Sequence, residues 1–204
     1  MEYHQGLQIA GGLLALLLFI PLILSIVKEG AEGQSCATWL LWGALDTILT
    51  FSLLWTRGNY FLPLGFAIGD FAVVILLVVK GKVNWGAFET IILLMVMACL
   101  AAWKLAGPMT AAISSTLAVV IAGLPGLRAM LQNPQRKVGN IWMGYVLANV
   151  LSFFGGTAMT IKERFTPGVF AFFALLMFAA SRRKKRVEEI RGGTPAPSPW
   201  ILPH

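Results

Sequence analysis

Charge is the first thing this sequence has little of. Only 12% of its 204 residues are Asp, Glu, Lys or Arg, about half the share usual in water-soluble domains. Histidine is rarer still: His4 and His204 are the two present, so no histidine-based metal or haem site is expected within the apolar runs. Cysteine is limited to Cys36 and Cys99, far apart and without metal-ligand spacing, which points to free thiols. No lysine occurs between Phe165 and Ser181, so a retinal Schiff base on the last apolar run has no attachment point. A Ser/His/Asp set and a glycine-rich phosphate loop are also missing. The chain is therefore not expected to be an enzyme, and no cofactor and no metal are expected. No Lys or Arg precedes Lys28, and a cleaved leader needs a positive start, so the first apolar run is expected to stay in the mature chain.

What remains is apolar: 57% hydrophobic, with a mean hydropathy of +0.76. Seven apolar segments approach the ~20 residues that a spanning helix needs. They are Leu7–Val27, Cys36–Trp55, Phe61–Val79, Trp85–Leu105, Met109–Leu131, Gly139–Met159 and Phe165–Ser181. This is the pattern of an all-α integral membrane protein. The net charge of +7 sits between and just after these runs, so it signals topology and not nucleic acid. Arg57, Lys104, Lys162 and Arg164 lie on the side of the N-terminus; the other twelve basic residues lie on the opposite side. The positive-inside rule then predicts an outside N-terminus and a cytoplasmic C-terminus in a multi-pass cell membrane. Ser181-Arg-Arg-Lys-Lys-Arg186 reads as a stop-transfer cluster able to meet anionic head groups. Gly192–Pro199 reads as a tail that cannot build a core.

One motif occurs twice. Trp39-Leu-Leu-Trp42-Gly-Ala-Leu-Asp46 returns as Trp142-Met-Gly-Tyr145-Val-Leu-Ala-Asn149. In each copy two aromatics and a carboxyl or amide share one helical face. Pro21 and Pro125, Phe61 and Phe165, Pro63 and Pro167, and Phe66 and Phe170 recur at a matching offset of 104. The repeat covers segments one to three and five to seven, which predicts two parallel three-helix repeats joined by a linker helix (3+1+3). The expected divisions are 1–79, 80–108, 109–181 and a basic, Pro-rich end at 182–204.

A 3+1+3 chain with its N-terminus outside resembles the SWEET and PQ-loop superfamily of sugar and small-solute transporters. The local likeness is Gly123-Leu-Pro125-Gly-Leu-Arg-Ala-Met-Leu-Gln-Asn-Pro-Gln-Arg-Lys137-Val-Gly139: a late helix proline, a basic loop, then the next helix. The glutamine that should follow the helix proline is Leu22 in one half and Gly126 in the other. The Trp39–Asp46 segment also resembles uncharacterised bacterial seven-helix membrane proteins, a likeness that carries no activity with it.

Counting at 1.5 Å per residue puts Asp46, Asn149 and Asp70 each about 15 Å into a segment, near the midplane of a ~30 Å core. A buried Asp there costs roughly 2.5–3.5 kcal/mol on insertion scales, so it asks for a reason. In SWEET-like proteins, the resemblance implies, tryptophans and asparagines near the midplane face the sugar. Trp39, Trp42, Trp142, Tyr145 and Asn149 suit such a site, with aromatic faces for C–H groups and an amide for hydroxyls. Trp39 and Trp142 are equally placed for an interfacial aromatic belt, and Asp46 and Asn149 for interhelical hydrogen bonds. Asp70 has no polar mate, because Ala174 stands at its repeat position. Two carboxyls at one depth are what proton coupling or cation binding requires; either is also compatible with a purely structural, protonated group. Pro21 and Pro125 are the expected hinges. Gly65-Phe-Ala-Ile-Gly69, Gly11-Gly12 and Ser115-Thr116 are expected packing faces, and Glu89 an N-terminal dipole partner.

The function expected is alternating-access transport of a small polar solute, sugar-like or amino-acid-like. Its partners are the lipid bilayer, a small-molecule solute and a second copy in a homo-oligomer, with no nucleic acid. That reading predicts a water-accessible cavity between the second, third and sixth segments. The competing expectation is a non-transporting multi-pass protein, an assembly partner or sensor, whose midplane polar residues only specify helix packing.

Overall fold

The computed structural model describes residues 2–29, 35–83, 85–132, 134 and 136–183. The expected Pro-rich tail and Lys184–Arg186 of the basic cluster lie outside the described residues, as does Gln135. Every described element is helical: α1 (Glu2–Leu17), α2 (Phe19–Glu29), α3 (Cys36–Trp55), α4 (Phe61–Val79), α5 (Ala87–Ala106), α6 (Pro108–Gln132), α7 (Arg136–Gly155), a π-helical turn (Ile161–Phe165) and α8 (Thr166–Arg182). Seven stretches, with α1 and α2 counted as one, are long and apolar enough to cross a bilayer, the mark of a multi-pass membrane protein.

Local chemistry accounts for most of the boundaries. α3 begins where the Ser35 side chain accepts the Thr38 backbone N–H at 3.2 Å, a serine N-cap. Gly107 (φ 87°) ends α5 in a conformation a side chain resists, and Pro108 opens α6 at the position where its missing N–H costs nothing. The first span breaks at Leu18. Pro21 cannot donate to the Leu17 carbonyl and crowds it, which separates α1 from α2. Pro125, its repeat mate in sequence, lies inside α6 without breaking it. The sixth segment, expected to reach Met159, ends at Gly155, before Gly156 and the π-helical turn.

Adjacency follows a simple order. α4 packs against both α1 and α3, and α8 against both α6 and α7; α1 also meets α7, and α3 meets α6. These contacts close a ring in the order α1, α4, α3, α6, α8, α7. α5 stands outside that ring, against α3 and α6, and buries a single stripe of Ile92, Val96 and Cys99.

Helices without a hydrophobic drive toward one another in lipid associate through close packing of small residues, and those foreseen do so here. A Cβ at Gly11 would lie 2.7 Å from the Ala148 carbonyl oxygen. One at Gly12 would strike the Phe61 carbonyl, and one at Gly65 the Gly12 carbonyl. In the second half, Thr116 and Thr166 fill the corresponding α6–α8 contact and join hydroxyls at 2.9 Å. Glu89 is bound more tightly than a dipole partner needs. It accepts from the Gly86 backbone N–H at 2.9 Å, from Ser35 Oγ at 2.8 Å and from Thr38 Oγ1 at 3.0 Å, tying the start of α5 to the start of α3.

Candidate functional site

Asp46 lies at the middle of α3 and Asp70 at the middle of α4. Gly43, one turn before Asp46, lets the helices approach until a Cβ there would lie 3.3 Å from Asp70 Cβ. Their carboxyls face each other across the α3–α4 contact. A hydrogen bond between them needs a proton on one of them, since two carboxylates have no donor between them. Both residues are only 3% exposed, and Asp46 Oδ1 has no partner. Thr50 does not supply one, because its hydroxyl donates to the Asp46 main-chain carbonyl at 2.7 Å.

An aromatic cluster draws rings from α2, α3, α4, α7 and α8. Trp39 and Trp42 meet edge-on at 5.2 Å between ring centroids. The second copy of the motif repeats the contact, with Trp142 and Tyr145 at 5.6 Å. Phe19 bridges the two copies, 6.1 Å from both Trp39 and Tyr145. Phe66 lies 5.5 Å from Tyr145 and 5.8 Å from Phe170. Tyr145 also lies within electrostatic range of Asp70. The indole Nε1 of Trp42 is buried without a partner.

Four of the seven expected site residues, Trp39, Trp42, Trp142 and Tyr145, are thus linked through ring contacts with Phe19, and Asp46 and Asp70 face each other beside them. Asn149 is the exception. It lies in the second half of α7, 1% exposed, and its amide donates to the Tyr145 carbonyl at 2.7 Å on its own helix; Asn149 Oδ1 has no partner. The helix ends at Gly155, four residues before the expected Met159, and starts three earlier than expected, so Asn149 lies beyond its midpoint. A water-accessible site was expected here, yet the carboxyls are enclosed by protein in this conformation.

No family model, curated protein or solved structure matches the chain.

The pair has chemistry suited to a proton or to a hydrogen-bonding solute. Among the described residues no third Asp, Glu, His or Cys joins it to form a metal-holding group. Phe19 and Phe66 were not foreseen as part of the cluster. Phe66 carried a usable signal, because its mate at the repeat offset is Phe170, the ring it touches.

A second polar cluster had no part in the sequence expectations. At the end of the bundle that carries the N-terminus, Asn59 is 1% exposed. Its amide donates to the Ser152 carbonyl at 2.8 Å, to Ser152 Oγ at 3.0 Å and to the Glu163 carbonyl at 3.3 Å. Its backbone N–H donates to the Lys162 carbonyl at 3.0 Å. Lys162 Nζ returns a bond to the Thr56 carbonyl at 3.4 Å. Glu163, 7% exposed, accepts from Gln8 Nε2 at 3.3 Å, and Gln8 also donates to the Gly155 carbonyl at 2.9 Å.

Proposed function

We propose that the chain is a transporter of a small polar solute that works by alternating access between two three-helix halves. The observation that carries this reading is the Asp46–Asp70 carboxyl pair, face to face and buried at mid-helix. It lies beside a paired aromatic cluster drawn from both copies of one motif. Unpartnered buried polar atoms are rare in folded chains, and Trp42 Nε1, Asp46 Oδ1 and Asn149 Oδ1 are three of them. A solute hydroxyl would accept from the Trp42 indole or donate to Asp46 Oδ1. Proton coupling through Asp46 and Asp70 belongs to the same reading, because two carboxyls that face each other can share one exchangeable proton.

The 3+1+3 arrangement is part of the proposal. Support comes from the helix contacts, which survive exchange of the halves: α1–α4 corresponds to α6–α8, α3–α4 to α7–α8, and α1–α7 to α6–α3. Mates at the repeat offset also touch one another, as Phe66 does Phe170 and Asn59 does Glu163, which is what residues beside a local two-fold axis do. A distant place in the SWEET and PQ-loop superfamily, and an orientation with the N-terminus outside, accord with this. Pro21, where the first span breaks, is the better of the two proposed hinges.

A thermal-shift screen of the purified chain against monosaccharides, disaccharides and amino acids tests binding. One class of solute should raise the melting temperature of the wild type but not of Asp46→Asn. The second reading, packing without transport, draws on the 3% exposure of both carboxyls. It predicts that no solute shifts the wild type and that Asp46→Asn alters stability alone.

A further inference from the structure

Rotating two halves against each other requires them to part at one end, and one end of this bundle is stitched shut by groups that no sequence pattern marked. The seam joins the α3–α4 connection of one half to α7 and the π-helical turn of the other. Its centre is Asn59, whose side chain and backbone together reach Ser152, Lys162 and Glu163. Lys162 returns to Thr56, and Gln8 closes the flank by holding Gly155 and the Glu163 carboxyl.

The partners are mostly backbone carbonyls. That suits a contact to be broken and remade, since a carbonyl exchanges an amide donor for water at little net cost. An interior fastening would leave them unsatisfied when parted; this seam lies at helix ends, where water can replace the lost donors once the halves separate. The elements it joins are irregular. Arg57 has a positive φ (53°), and Ile161–Phe165 forms a π turn, a feature common where helices serve function. The closure is tight at Gly58, where a Cβ would lie 2.6 Å from the Lys162 carbonyl oxygen and 3.0 Å from Lys162 Cβ. Gly58 has no positive φ, so an alanine there is a wedge and not a conformational fault.

We infer that the Asn59–Ser152–Lys162–Glu163 seam is the gate on the face carrying the N-terminus, closed in this conformation and opening to water when the two halves part. The inference rests on the transport reading for its purpose, but its test does not depend on any solute.

The full chain, with Cys36→Ala and Ser152→Cys, is reconstituted in lipid vesicles and labelled with a membrane-impermeant maleimide, each site being read by peptide mass. Ser152 is fully buried beneath Asn59, and native Cys99 on α5, 3% exposed, reports global unfolding. Ser152→Cys should label slowly in this background. Adding Gly58→Ala, or in its place Asn59→Ala, should speed labelling by about tenfold or more, the ratio that a backbone overlap or a lost buried partner produces, while Cys99 stays unlabelled. An unchanged Ser152→Cys rate overturns the gate, and so does a rise shared by Cys99, which makes the seam ordinary structural glue. Failure of every solute in the screen removes the transport reading and leaves the labelling rates to decide whether the seam opens.

Discussion

Removing Asp70 should cost more than its size suggests, and the cost depends on what replaces it. Asp46 has one carboxyl oxygen without a partner and faces the Asp70 carboxyl. Asp70→Ala leaves the Asp46 carboxyl, 3% exposed, with no carboxyl partner. Stranding a buried polar group of this kind costs about 1–3 kcal/mol. Asp70→Asn keeps an N–H donor facing Asp46 and should recover most of that loss. For a chain of this length each kcal/mol moves the melting temperature by about 2–4 °C, so Asp70→Ala should melt roughly 2–12 °C below Asp70→Asn. Tryptophan fluorescence melts in detergent micelles read the difference directly. The double variant Asp46→Ala/Asp70→Ala should be less destabilised than the two single changes added together, with a coupling of about 1–3 kcal/mol. If the single costs simply add, or Asp70→Ala melts with Asp70→Asn, the pair is not a mutually satisfied unit and the reasoning fails.

Gly65→Ala should lower stability by about 1–3 kcal/mol, because its methyl meets the Gly12 carbonyl. Gly6→Ala, with open space around it, should leave the melt unchanged. Pro21→Ala should restore the bond to the Leu17 carbonyl and stabilise the chain by up to about 3 kcal/mol; spin labels on α1 and α2 should report a straighter first span, whereas Pro125→Ala should leave α6 as it is. Glu89→Ala should cost about 1.5–3 kcal/mol as three donors from two helix starts lose an acceptor, a loss that a melt against Glu89→Gln can isolate.

The spans were legible where one local rule dominates. Cys36–Trp55 and Phe61–Val79 match α3 and α4 at both ends, because a serine cap and a short polar connection frame an unbroken apolar run. Ring-to-ring contacts within each motif copy followed from i, i+3 spacing alone. Asp46 and Asp70 could be matched in depth by counting residues, since their helices begin where the sequence says they should. Asn149 could not, because α7 ends at Gly155, ahead of the Gly156 break, where the apolar pattern runs on to Met159. The break at Leu18 and the continuity across Pro125 also escaped the sequence: proline permits a kink, and neighbouring helices decide whether one forms. Asn59 and Glu163 were hidden for a different reason. Polar residues between apolar runs read as solvated loop, and only the meeting of the two halves buries them. Their spacing of 104 positions was the available signal, masked because an amide had become a carboxylate.

The most direct test of the central claim is solute uptake into vesicles containing the wild-type chain, Asp46→Asn or Asp70→Asn, each first matched for melting temperature and reconstitution. The account predicts that the wild type accumulates a solute identified by the thermal-shift screen and that both variants lose uptake while remaining folded. Uptake at the wild-type rate by both variants, or none by a folded wild type for any solute in the screen, would contradict it.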